Sequence, residues 1–185
     1  MAIDIFEPLK DLQGNKMKSA SWYRNAVSLI ADRSSPSELF ASGKLLGRPS
    51  AGRMSMFFYD PKFKKTLPYY DTFPLVLPLE RYTDGFLGIN LHYLPMTLRI
   101  QLLDRLVDFS NNTKFDESTR LAVDYSKLKN INLIKPTLKR YLKGRVKTQF
   151  RRIDADEFTV AALLPVARFK KASAAEVYRD SRGMV

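Results

Sequence analysis

The stretch Thr137–Ile153, TLKRYLKGRVKTQFRRI, holds seven lysines and arginines and no acid. A row of unpaired cations meets several phosphates along a nucleic-acid backbone at once and releases counterions as it does so. The chemistry on offer is polyanion binding. At about 100° per residue, Leu138, Leu142, Val146, Phe150 and Ile153 share one sector of a helical cylinder. That spacing predicts an amphipathic helix, opened by Pro136 at its first turn. Arg140, Lys143, Lys147 and Arg151 follow on an adjacent stripe, and Arg145 and Arg152 lie on the opposite flank. Lys139, Arg140, Lys143, Lys147 and Arg151 are therefore the candidate nucleic-acid-binding residues. No acid stands at the i±4 positions that would pair such cations within a helix, so the expected partner is a phosphate backbone or an acidic protein surface. Lysine and arginine position a backbone but carry no base code without a docking motif, and no zinc-finger, RNA-recognition or helix-turn-helix signature is present.

Catalytic chemistry finds less support. His92 is the only histidine and follows an apolar run; it reads as a strand-end residue with a satisfied hydrogen bond rather than a general base. No GxSxG or GxxxxGK[ST] pattern occurs. Asp154, Asp156 and Glu157 cluster beside basic residues, as a metal-dependent nuclease requires. A capping box formed by Asp154 and Glu157 accounts for the same spacing and is the preferred reading. The expectation is a non-enzymatic protein with no cofactor and no metal.

The charge is local. The chain of 185 residues carries 31 basic and 19 acidic residues, a net of +12. Ten of the basic residues and none of the acids lie between Tyr125 and Ile153, leaving 21 basic against 19 acidic elsewhere. A concentrated basic segment implies an anionic neighbour, which uniform basicity does not. Apolar residues at 45% argue against wholesale disorder. Cysteine is absent, which excludes disulfides and thiolate metal sites. The start MAIDIFEPLK is not a secretory signal, and no window approaches 18 uninterrupted apolar residues. A soluble intracellular product with no membrane partner is expected.

The elements that must position these residues read as α+β: a small antiparallel meander, a helical C-terminal half, and an extended N-terminal arm. Residues 1–50 read as arm and linker with one helix near Ser21–Ala31, because SSPSELFASGKLLGRPSAG strings Ser, Gly and Pro together. Residues 51–185 read as one compact domain. RMSMFFYD alternates Met54, Met56 and Phe58 with Ser55, Phe57 and Tyr59. FPLVLPLE makes a second strand, placed at an edge because Pro74 and Pro78 each remove a ladder donor. TDGFLGINLH makes a third, with Asp84-Gly85 as its turn. MTLRIQLLDRLVDFS then places Leu98, Leu102, Leu106 and Phe109 on one helical stripe. Asp116 or Ser118 caps a shorter helix through Leu128, a helix after Asp154 stops near Pro165, and Ser173 starts a last short one.

The strings MFFYDPKFKKTLPYYDTFPLVLPLE, DGFLGINLHYLP and RRIDADEFTVAALLPVARFKKAS resemble a family of small virion-associated proteins of contractile-tailed bacteriophages, the myoviruses, of the DNA end protector type. The likeness runs from about Met54 to the C-terminus. It implies double-stranded DNA as a partner, other virion proteins as neighbours, and the virion, assembled in the host cytoplasm, as the location, near the head-tail connector. It supplies no site residues. The alternative it leaves open is a neck, tail or baseplate component whose basic face meets acidic subunits, with no DNA role.

Overall fold

The computed structural model describes residues 20–32, 34–108, 125–128, 130–154 and 157–185. Phe109, the proposed cap at Asp116 or Ser118, Asp156 and the first nineteen residues lie outside them. The architecture is α+β. A six-stranded antiparallel sheet runs in the order β1-β7-β2-β4-β5-β6. Its strands are β1 (Leu45–Leu46), β2 (Ser55–Met56), β4 (Leu75–Tyr82), β5 (Gly85–Asn90), β6 (Leu138–Leu142) and β7 (Phe150–Arg152). A second ladder pairs β3 (Tyr70–Asp71) with β8 (Phe169–Lys170). The helices are α1 (Ala20–Ala31), α2 (Pro36–Ser42), α3 (Met96–Asp108), α4 (Tyr125–Leu128), α5 (Phe158–Leu163) and α6 (Ala174–Met184).

The sheet is covered on both faces, and period-two alternation divides its residues between them. Met54, Met56, Leu75, Leu77 and Ile89 join the main core, with Leu102, Leu103 and Leu106 of α3 and Phe158 to Ala162 around α5. Phe57, Tyr59, Val76, Phe86, Tyr141 and Phe150 form a second, aromatic cluster. The alternation read in RMSMFFYD is thus present, with Phe58 packed on the first cluster and Phe57 and Tyr59 in the second. Arg99 is 1% exposed and holds the helical layer together. Its guanidinium donates to Leu94 O (2.7 Å), Ala162 O (2.7 Å) and the Tyr178 hydroxyl (2.8 Å), so α3, α5 and α6 share one buried cation.

Several sequence expectations change. The basic segment 137–153 is not a helix: it is β6, a 3-10 turn over Lys143–Arg145, and β7. Its apolar residues recur every four positions, a spacing that places them on one face of a strand as readily as of a helix. The β-favouring Tyr141, Val146 and Thr148 and the free edge of β5 decide for strand. β6 comes close to β5 because Gly85 has no side chain: a Cβ there would lie 1.9 Å from Tyr141 O. The strand FPLVLPLE is not at an edge, since β4 lies between β2 and β5. Its Pro78 is tolerated because β2 pairs only with Leu75 and Val76, and a register shift follows between Pro78 and Glu80. The expected capping box at Asp154 forms only in part. Glu157 accepts the Asp154 N–H at 3.1 Å, but the N-cap of α5 is Glu157 itself, without a side-chain cap bond.

Residues 20–46, read from the sequence as part of the arm, enter the fold. Ala26, Ile30 and Leu39 belong to the main core, and β1 pairs with β7. Ser35 and Glu38 form a capping box with Pro36 in the first turn of α2, so Ser-Ser-Pro-Ser-Glu is a helix start rather than a linker. The helix expected near Ser21–Ala31 is α1, α5 stops just before Pro165, and Ser173 caps α6 with Glu176.

Candidate nucleic-acid interface

The β4–β5 hairpin, the Lys143–Arg145 turn and the segment after β1 surround a cleft of about 730 Å³. Arg48, Arg81 and Lys143 line it, together with Tyr82, Thr83, Val146 and Thr148, and Phe86 and Phe150 of the aromatic cluster contribute to its wall. Backbone hydrogen bonds fix the rim. Lys143 N–H donates to Asp84 O at 2.8 Å, Asp60 N–H to Arg145 O at 3.1 Å, and Lys147 N–H to Phe58 O at 2.8 Å. Tyr59 takes part twice, pairing with Val146 as an isolated bridge and accepting Leu142 N–H on its hydroxyl at 3.0 Å. Arg48, Arg81, Lys143 and Lys147 are exposed, and none has an ion-pair partner among the described residues. Three cations from three separate segments thus converge on one aromatic-walled cleft, a composition suited to phosphate and to the faces of bases.

The five residues singled out from the sequence are not brought together. Lys143 lines the cleft, and Lys147 lies just past it, beside Asp60. Arg140 pairs with Asp84 at the hairpin loop and lies over the Tyr82 ring, 4.0 Å from its centroid. It therefore braces a cleft-lining aromatic. Lys139 points elsewhere: its ammonium sits 4.0 Å from the Tyr93 ring centroid, and burial lowers its pKa to about 8. Arg151 is 1% exposed. It donates to Leu39 O at 3.2 Å and to Arg152 O, and it lies 3.8 Å from the buried Glu157 carboxylate. The single cationic ridge does not form, because successive strand side chains alternate between faces and send Lys139 and Arg140 apart.

Arg48 and Arg81 were missed, and their sequence context offers little signal. Each is an isolated cation in its own segment, and only the β1–β7 and β4–β5 pairings bring them near Lys143. A third contribution comes from the turn Pro61–Pro68, where Lys62, Lys64 and Lys65 are exposed beside Phe63. Asp60, next to the Lys143–Lys147 segment, pairs with Lys64 at 2.7 Å. The adjacent cations hold the Asp60 carboxyl below its usual value, the Lys64 hydrogen bond foremost.

Among the described residues, which leave out Asp156, no group of three or more metal-ligating side chains occurs. Asp154 is taken up by Arg152 (2.5 Å) and Lys44 (3.7 Å). His92 is fully buried, its Nδ1 2.8 Å from Asp71 Oδ2. Asp71 also accepts from Phe73 N–H and Asn90 Nδ2, and Asn90 donates to the Tyr141 hydroxyl. This network ties β3, β5 and β6 together with no access for a substrate. No described helix is long and apolar enough to cross a membrane.

No curated protein and no solved structure matches the chain. A family model does match, over residues 11–181, starting well upstream of the strings that carried the sequence resemblance. That model is the phage T4 terminal DNA protecting protein, and the chain belongs to this family of phage DNA end protecting proteins.

Proposed function

We propose that the chain protects DNA ends by occupying them, making and breaking no bond, through the cleft of Arg48, Arg81 and Lys143 and the adjoining cations at Lys147 and the Pro61–Pro68 turn. The observation that carries this reading is the convergence on one aromatic-walled cleft of three cations with no ion-pair partner among the described residues, in a family described as protecting terminal DNA. In this reading the cleft cations take backbone phosphates near a duplex end, and the outer lysines take those beside them. An exonuclease needs the terminus in its own active site, so occupancy suffices as protection. In this reading the protein works in the virion among other virion proteins, near the head-tail connector.

The test is binding to blunt linear and to circular duplex DNA at low and moderate salt, followed by exonuclease challenge. Salt-sensitive binding with protection of the linear ends is expected. The triple variant Arg48→Ala, Arg81→Ala, Lys143→Ala should lose protection and flatten the log-affinity against log-salt slope by about 2 to 3, roughly 0.9 for each phosphate contact removed. Absence of DNA binding at either salt would overturn the reading and leave an acidic protein surface as the partner.

A further inference from the structure

Cations alone cannot distinguish a DNA end from a DNA interior, because phosphates are spaced alike in both. An end differs in exposing the flat face of its terminal base pair. The Pro61–Pro68 turn presents what such a face would recognise. Phe63 is 62% exposed, belongs to neither apolar cluster, and has exposed Lys62, Lys64 and Lys65 on either side. A ring flanked by exposed lysines fits a partner that is flat and aromatic at its centre and anionic at its rim.

The turn is also built to be stiff. Phe63 O accepts from Thr66 N–H and Leu67 N–H, both at 3.0 Å, and from the Thr66 hydroxyl at 3.1 Å. From the far end of the chain, the Lys171 ammonium donates to Lys64 O (2.9 Å), Lys65 O (3.0 Å) and Leu67 O (2.6 Å). Lys171 adopts a φ of 72°, a left-handed conformation uncommon outside glycine. The fold thus holds a lysine in an unfavoured backbone state, and its exposed ammonium fastens this turn. An aromatic side chain on a fastened turn loses little freedom on docking. Lys62, 5.3 Å from the ring centroid, and its neighbours carry the positive charge that the two phosphate strands beside a terminal pair require.

We propose that Phe63 stacks on the exposed terminal base pair of a duplex end, with Lys62, Lys64 and Lys65 on the flanking phosphates, and that this contact supplies the preference for ends. The inference rests on the end-binding reading above, but on a different surface element. Base stacking on an aromatic ring is sequence-tolerant, since every base has a π-face, which suits a protector of ends of any sequence.

The experiment compares a blunt duplex with a dumbbell of equal length whose ends are closed by hairpin loops, and places 2-aminopurine at the terminal pair. The wild-type protein should prefer the open duplex by tenfold or more and change the 2-aminopurine emission. Phe63→Ala should bring the two affinities together by weakening the open duplex about tenfold or more, with the dumbbell affinity unchanged, and Phe63→Trp should keep the preference. Because Phe63 lies outside the core, the melting temperature of both variants should stay at the wild-type value. End preference retained by Phe63→Ala would overturn the inference and assign the ring to a protein partner. Equal wild-type binding to both DNAs would overturn it too, while leaving the phosphate cleft standing. No wild-type binding to either would overturn the end-binding reading itself.

Discussion

Lys139 separates the structural reading of the basic segment from the sequence one. As a phosphate contact, its replacement by methionine would weaken DNA binding and leave stability unaltered. In the structure its ammonium is desolvated beneath Tyr93, and its pKa falls from the ordinary 10.5 to about 8. At about 1.4 kcal/mol per pH unit, that interval corresponds to about 3 kcal/mol of charge burial. A folded-state pKa already includes the Tyr93 contact, so Lys139→Met should stabilise the protein by up to about 3 kcal/mol at pH 7. The sign with pH follows from the direction of the shift. The unfolded chain binds the proton up to about 10.5 and the folded chain only to about 8, so the wild-type penalty is complete below pH 8 and shrinks as the pH rises towards 10.5. Urea denaturation of both proteins at pH 7, 9 and 10.5 should show the variant's advantage narrowing to near zero. A variant less stable at pH 7, a pH-independent difference, or a loss of DNA affinity would refute the placement of Lys139.

Arg151→Ala should destabilise by about 3–5 kcal/mol, because it removes the buried cation beside Glu157. Arg151→Met combined with Glu157→Gln should cost distinctly less in the same denaturation experiment, and the salt slope of DNA binding for the folded double variant should stay at the wild-type value. Stability should also fall on acidification in two stages. Burial holds His92 neutral with its pKa lowered, so protonation of the unfolded histidine begins to draw the equilibrium below about pH 6.5. Burial opposes the charge on Asp71 as well, but His92 and the Phe73 and Asn90 hydrogen bonds outweigh it, and its pKa is lowered. Its stabilisation is present above about pH 4 and is lost as the pH falls through the lower folded value. A melting temperature that stays flat between pH 7.5 and 5 would refute a neutral, buried His92.

Elements with a distinctive local signal were legible. α3 carries a sustained apolar stripe, α6 begins at a Ser–Glu capping box, and the β4–β5 hairpin turns near Asp84-Gly85. Where the local signal had two solutions, tertiary pairing chose between them. A four-residue repeat of apolar side chains from Leu138 to Phe150 fits either a helix or a strand, and nothing within the segment reveals that β5 has a free edge or that β1 and β2 leave room for β7. The same blindness hid the arm's contribution. Leu45 and Leu46 are only two residues, too few for a period, and they are strand because Phe150 and Arg151 lie opposite them.

The charge excess of the segment does not depend on the helix it was expected to form, and the reason is physical. Excess charge is a property of a segment's composition, and a basic segment with no acid of its own delivers cations to the surface whichever backbone it adopts. Secondary structure decides which of them arrive. Alternation along β6 turned Lys139 onto Tyr93, pairing with β1 and β2 drew Arg151 into the core, and the irregular 143–147 stretch between the strands left Lys143 and Lys147 outside. Other exposed cations come from elsewhere in the chain, at Arg48, Arg81 and the lysines around Phe63. These share no sequence neighbourhood, and the +2 balance outside the basic segment conceals them because a sum along the sequence does not record where folding sets each charge. Net charge by segment therefore registers the cations of one stretch and misses those that folding gathers from charge-balanced stretches.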